Sequence, residues 1–223
     1  MTTNVFLLSA GIIGITLAGL NLACAELGAL PDPVLDEQVP ASKKPVSETV
    51  VLAGGCFWGM QAIFQHVKGV TKAVSGYAGG EAGTAEYETV STGTTGHAES
   101  VQVTYDSSQI TLGQILKVYF SVAHDPTELN YQGPDHGTQY RSAIFYVTPD
   151  QQKVASTYIE QLNKAKSYSS PIVTKLEPLN GFYAAEAYHQ DYARIHPDNA
   201  YIKFNDLPKV EHLQEQFPSL YVP

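Results

Sequence analysis

The chain has 223 residues, with 22 Asp and Glu against 13 Lys and Arg, a net charge of −9 and only two cysteines. An acidic chain without a basic run excludes nucleic acid and anionic membrane surfaces as partners, because either would need a basic patch. Two cysteines are too few for a disulfide-stapled scaffold, and the length suits one domain with its own core.

Residues 1–25 carry no charged side chain, and 5–23 are mostly Leu, Ile, Gly and Ala. This stretch reads as a targeting segment, with Ala23-Cys24-Ala25 as a small-x-small cleavage site that would release a chain starting near Glu26. Export to a periplasm or to the cell exterior is the expectation. No positive residue precedes the apolar run, which approaches the ~20 residues that span a bilayer, so an uncleaved membrane anchor is the alternative. Lipid modification of Cys24 is disfavoured by Asn21. Residues 26–48 are rich in proline and free of aromatics, and they read as an extended tether. Residues 49–223 are left as a single catalytic domain.

That domain opens with the apolar run Val50-Val51-Leu52-Ala53, followed by Gly54-Gly55-Cys56-Phe57-Trp58-Gly59. Beyond it Phe57, Met60, Ile63, Phe64 and Val67 recur at helical spacing, so the strand period gives way to the helix period at Cys56. The thiol is therefore predicted at a helix N-terminus, where unpaired N–H groups and the positive dipole end stabilise a thiolate and lower its pKa. The two glycines allow a tight turn and leave the approach to the sulfur open.

Residues 70–77 read as a strand ending in the turn Ala78-Gly79-Gly80, which lacks the Lys-Ser/Thr of a phosphate loop. Tyr87 follows in a polar loop that runs to Gly96-His97. In the next strand Glu99, Val101, Val103 and Tyr105 share one face, and Ser100, Gln102 and Thr104 share the other. Glu99 thus lies on the apolar face, where burial raises a carboxyl pKa and keeps the acid able to donate a proton near neutrality. Equally, it stands at a strand end, from which it could reach water or a basic partner.

Thr111 is the N-cap of a helix with the stripe Leu112, Ile115, Leu116, Tyr119, Phe120 and Ala123. A loop then leads to Asp135-His136-Gly137-Thr138-Gln139-Tyr140-Arg141-Ser142, dense in polar side chains next to a strand over 142–147. Thr148-Pro149-Asp150-Gln151 opens another helix with a capping box. Residues 172–179 read as a strand, 184–192 as a short helix carrying His189, and the rest as a partly irregular tail. The order β-α-β, β-α-β, α-β predicts an α+β fold, a two-layer sandwich on a split β-α-β (ferredoxin-like) core with a mixed sheet.

Three chemistries compete for these residues. A metal site is disfavoured, since His124, His136, His189 and His196 show no ligand spacing. A cysteine-nucleophile hydrolase or acyltransferase would use Cys56 with a histidine base, but its elbow wants glycine where Trp58 stands. The third is a redox thiol acting on an oxidised sulfur.

The three blocks 54–59, Gly96-His97-Ala98-Glu99 and 135–142 resemble the signature blocks of the A-type peptide methionine sulfoxide reductases, and the similarity runs from about Val50 to Tyr192. The resemblance implies that Cys56 attacks the sulfoxide sulfur to give a sulfenic acid and a thioether, with preference for the S epimer. It implies that Glu99 protonates the sulfoxide oxygen, that Tyr87 and Tyr140 donate hydrogen bonds to it, and that Phe57 and Trp58 wall a pocket for the S-methyl group. Asp135 and His189 resemble supporting positions. Many relatives carry resolving cysteines near the C-terminus, whereas residues 205–223 contain none. With no bound cofactor or metal expected, recycling would fall to an external thiol reductant such as thioredoxin or glutaredoxin, acting on a monomer. Cys24 could take part only if the leader were retained.

Overall fold

The computed structural model describes Met1 and residues 29–37 and 44–223. The targeting segment, its cleavage site and Cys24 lie outside the described residues. The fold grows from β1 (Ser47–Ala53), α1 (Phe57–Gln65), β2 (Val70–Ala78), α2 (Tyr87–Val90) and β3 (Ala98–Asp106). There follow α3 (Leu112–Val118), a short hairpin of β4 (Tyr131–Gln132) and β5 (Asp135–His136), β6 (Ala143–Tyr146), α4 (Pro149–Ala165), β7 (Lys175–Pro178) and β8 (Phe182–Ala184). The chain ends with α5 (Tyr192–Ile195) and α6 (Leu207–Gln216).

Six strands form one sheet in the order β7-β6-β1-β3-β2-β8. β3 runs antiparallel to both β1 and β2, which makes β1 and β2 parallel strands split by β3. With β6 on the far side of β1, the inner order 6-1-3-2 is the ferredoxin-like core expected from the element order. The parallel pair β6·β7 makes the sheet mixed. Val50, Leu52, Val101 and Val103 face α1, α3 and α4 in the main core, while Val51, Ala53, Ala78 and Phe145 form a smaller cluster on the other face. Alternation along β1 thus splits its residues between two apolar surfaces, which is why the strand reads as an unbroken apolar run.

Thr111 caps α3 through a complete capping box with Gln114. Thr148 also caps α4 by accepting from the Gln151 N–H, but the Gln151 side chain accepts from Val147 N–H and donates to Thr49 O instead of closing the box. Two expectations for the C-terminal part are corrected. Residues 184–192 are the end of β8, a 3-10 turn over Ala187–His189 and the start of α5, not one helix. The tail contains α6, which runs on from a π-helical turn over Ile202–Asp206 with Pro208 in its first turn.

The tether is corrected in part. Residues 29–37 are extended, but they are docked. Leu30 is buried, Tyr158 Oη donates to Pro31 O at 2.9 Å, and Lys117 pairs with Asp32 at 2.7 Å. Asp36 accepts from Gly113 N–H and Thr111 Oγ1, and Glu37 accepts from Leu112 N–H and Tyr105 Oη. Both carboxylates therefore satisfy otherwise unpaired donors at the start of α3.

Candidate active site

The site is assembled at the end of β1. Gly55 has φ +88°, a left-handed conformation, and a Cβ there would lie 2.8 Å from Gln132 Cβ in the β4-β5 hairpin. Gly55 N–H also donates to Tyr140 O at 3.2 Å. The glycines thus let the third motif close over the first; at Gly54 the space a Cβ would need is filled by His124. Cys56 is the N-cap residue of α1, as expected.

Glu99 reaches the same helix start from β3. It is 3 % exposed and accepts from Phe57 N–H at 3.1 Å, a helix-terminal donor. Burial pushes its carboxyl up to about 8, with Asp135 and Asp206 adding to the shift and the Phe57 N–H opposing it. The alternative of a solvated strand end is thereby removed.

Arg141 holds the approach loops together, donating to Thr138 O at 3.0 Å and to Gly96 O at 2.9 Å. Thr138 Oγ1 donates to Gly93 O, and Gln139 Nε2 to Ser91 O. These bonds tie the turn that carries Tyr140 to the loop between Tyr87 and Glu99. Tyr87 opens α2, and its N–H donates to Glu186, whose other oxygen accepts from Tyr77 Oη.

An aromatic wall closes the other side. Trp58 stacks on Tyr192 with ring centroids 3.8 Å apart and meets Tyr201 edge-on at 6.0 Å. Its indole N–H donates to His189 Nδ1 at 3.2 Å. That bond and burial, which lowers the His189 pKa, fix a neutral ring with its proton on Nε2. Phe57 packs on His189 and Tyr77.

Cys56, Phe57, Trp58, Tyr87, Glu99, Asp135 and Tyr140 all line one pocket of about 210 Å³. Every pocket residue expected from the sequence is therefore in one place, with His189 behind Trp58 as a support. Tyr201 also lines this pocket, and no sequence signal points to it. Its hydroxyl donates to Asp135 Oδ2, which fixes that carboxylate at the rim. It lies in the tail, where no periodicity or motif distinguishes one tyrosine from the others.

One expectation fails. A helix start should ionise Cys56, but its pKa is pushed well above the usual thiol range. Burial is the largest cause, followed by the nearby Glu99 and Asp206 carboxylates; the Trp58 N–H opposes them and does not win. A helix terminus favours an anion by about 0.3–1 kcal/mol at an exposed site, which is small against removing a thiolate from water beside other acids. The resting sulfur is a thiol. Among the described residues, no group of three or more His, Cys, Asp or Glu could hold a metal ion.

The family model for peptide methionine sulfoxide reductase matches residues 48–220. This chain belongs to the A-type peptide methionine sulfoxide reductases. It is 62% identical over 177 residues to a Mesorhizobium japonicum reductase of this name, covering 79% of this chain and 91% of the relative. A Synechocystis relative is 45% identical over 188 residues, covering 84% and 88%. Among solved structures, the reduced form of Mxr1 from Saccharomyces cerevisiae has TM-score 0.62 and 34% identity, covering 74% of this chain and 91% of that one. Methionine sulfoxide reductase A of Corynebacterium diphtheriae has TM-score 0.60 and 35% identity, covering 76% and 87%. The protein is an oxidoreductase that reduces methionine sulfoxide at the expense of thiols, and the hydrolase alternative finds no support.

Proposed function

We propose that Cys56 is the nucleophile and Glu99 the proton donor of this reductase, acting on the S epimer of methionine sulfoxide in oxidised proteins and peptides. The observation that carries the assignment is the meeting of a buried thiol and a buried neutral acid in one small aromatic pocket. Phe57 and Trp58 receive the S-methyl group, and the Tyr87 and Tyr140 hydroxyls donate to the sulfoxide oxygen. Burial, with Glu99 as the next cause, raises both phenol pKa values, so both keep their protons throughout the neutral range.

The protons balance without an outside acid. Glu99 gives its proton to the sulfoxide oxygen, which makes the sulfur more electrophilic, and the Cys56 thiol proton replaces it as sulfur attacks. The attack joins Sγ to the substrate sulfur; that bond and the S–O bond then break as the hydroxyl passes to Sγ, so Cys56 is oxidised to the sulfenic acid and methionine leaves reduced. Two equivalents of an external thiol, or one dithiol of the thioredoxin or glutaredoxin type, then return Cys56 to the thiol with release of water. That route is favoured because Cys56 is the sole cysteine of residues 49–223. Asp135, held by Tyr201, orders polar groups at the pocket mouth.

On the same reading the enzyme works outside the cytoplasm as a monomer, delivered by residues 1–25 as a cleaved signal or held by them as an anchor. N-terminal sequencing of the native protein separates the two. The chemistry is tested with a methionine sulfoxide peptide and limiting reductant, trapping Cys56 with dimedone. One equivalent of thioether per sulfenic acid adduct at Cys56 is expected. Thioether formed without a Cys56 adduct, or a disulfide joining Cys24 to Cys56, would overturn it.

A further inference from the structure

This inference rests on the assignment of Cys56 above. Asp206 is fully buried, and neither carboxyl oxygen has a hydrogen-bond partner among the described residues. Leaving such a group unpaired in the interior is unfavourable. Asp206 ends a π-helical turn that runs straight into α6, and the amide that follows it is already taken, Leu207 N–H donating to Ile202 O. Its side chain caps none of the amides that open α6.

The side chain turns to α1 instead and fills the space over Gly59, where a Cβ would lie 2.8 Å from Asp206 Cγ. Gly59 lies in the first turn of α1, which Cys56 opens. Asp206 thus packs against that first turn, near enough for its charge to act on Cys56, while remaining outside the pocket lining. The backbone departs from the α-helix to deliver it. Ile202–Asp206 is a π-helical turn between Tyr201 and α6, a distortion often found at functional sites.

Other charged or titrating groups share this space. Glu99 from β3 and Asp135 from the hairpin face Cys56, as do the Tyr87, Tyr140 and Tyr201 hydroxyls. Lys209 on α6 faces Asp206 and opposes the loss of its charge.

We propose that Asp206 is a positioning residue for Cys56, an acid set beside the start of α1 whose negative charge, when present, adds to burial and Glu99 in keeping the resting sulfur a thiol. Burial pushes its carboxyl up to about 7, so the charge appears within the neutral range instead of being permanent. No substrate contact is required of it, because the effect travels through the protonation of Cys56.

The test is the rate of Cys56 alkylation by iodoacetamide in the full chain, read peptide by peptide in a mass spectrometer between about pH 5.5 and 9. Parent, Asp206→Asn and Asp206→Ser are compared. Below about pH 6 the three rates should coincide, since Asp206 is then neutral in the parent. Near pH 8.5 both variants should react faster by roughly threefold or more, the factor expected for removing one nearby charge even with strong screening. Two side chains of different size must give the same profile, so either variant alone decides the matter if the other does not fold. Rates equal to the parent at every pH, or altered by one constant factor at every pH, would overturn the proposal. Failure of the underlying assignment looks different: Cys56 of the parent would form no sulfenic acid with a sulfoxide peptide.

Discussion

Two carboxyl groups, Glu99 buried and Glu37 half-buried, stand at opposite ends of β3. Glu99 lies near its start, and Glu37 lies against Tyr105 near its end, roughly 20 Å further along at about 3.3 Å per residue. Burial raises both, Glu99 to about 8 and Glu37 to about 7, and each accepts from the first N–H of a helix, Phe57 for one and Leu112 for the other. Their surroundings differ. Glu37 faces Glu48 and the Tyr105 hydroxyl with no nucleophile near it, whereas Glu99 shares a pocket with Cys56. A raised acid therefore reports burial, and only the company of a thiol and an aromatic pocket turns that acid into a candidate proton donor.

The comparison is broken most severely at the thiol. Cys56→Ser should reduce sulfoxide turnover to background in an assay with dithiothreitol, leaving an intact pocket with a raised acid and no activity. Residual turnover above a heat-treated control would refute the mechanism. Next, Glu99→Gln should lower kcat by about 10²–10⁴-fold, the usual worth of a positioned proton donor, while Glu37→Gln should change it less than about twofold. Comparable losses in the two variants would mean that the ends are not functionally distinct.

Stability against pH sharpens the contrast further. A carboxyl whose folded pKa is raised keeps its proton after the unfolded chain has lost its own. Stability therefore falls as pH rises from the ordinary carboxyl value, about 4.5, to the folded value. For Glu99 that window closes near pH 8 and for Glu37 near pH 7. The Tm of Glu99→Gln should thus gain on the parent between about pH 5 and 8, and that of Glu37→Gln should stop gaining earlier. Curves running parallel to the parent would show that neither acid is neutral in the fold. The smallest effect is expected from Asp36→Ala, which removes an acceptor from the start of α3 and should cost about 1 kcal/mol in thermal unfolding with activity unchanged.

Much of this was legible in residue order, for identifiable reasons. The change of period at Cys56 and the alternation around Glu99 are local signals, and they placed both side chains correctly. Thr111 announced its helix because an N-cap stands next to the residues it caps, whereas the box expected at Thr148 stays open because Gln151 turns to Val147 and Thr49. The charge state of Cys56 was not legible, since it depends first on burial and then on acids brought from β3, the π-helical turn and the hairpin. Tyr201 and Asp206 were hidden for a related reason: a π-helical turn breaks the spacing by which a helix is recognised. The docking of residues 29–37 was also invisible, because proline-rich composition specifies an extended backbone and says nothing about what its carboxylates meet.

That docked segment has a practical bearing on where the protein can be cut. The family match starts at residue 48, so trimming to homology would keep every pocket residue yet discard Leu30, Asp36 and Glu37. The Tyr158 hydroxyl and the opening amides of α3 would lose their acceptors, Tyr105 would keep only its 3.4 Å bond to Glu48, and apolar area under Leu30 would be bared to solvent. A recombinant enzyme meant to behave like the native one should therefore retain its sequence from Ala29 onward, even though that stretch contributes nothing to the chemistry.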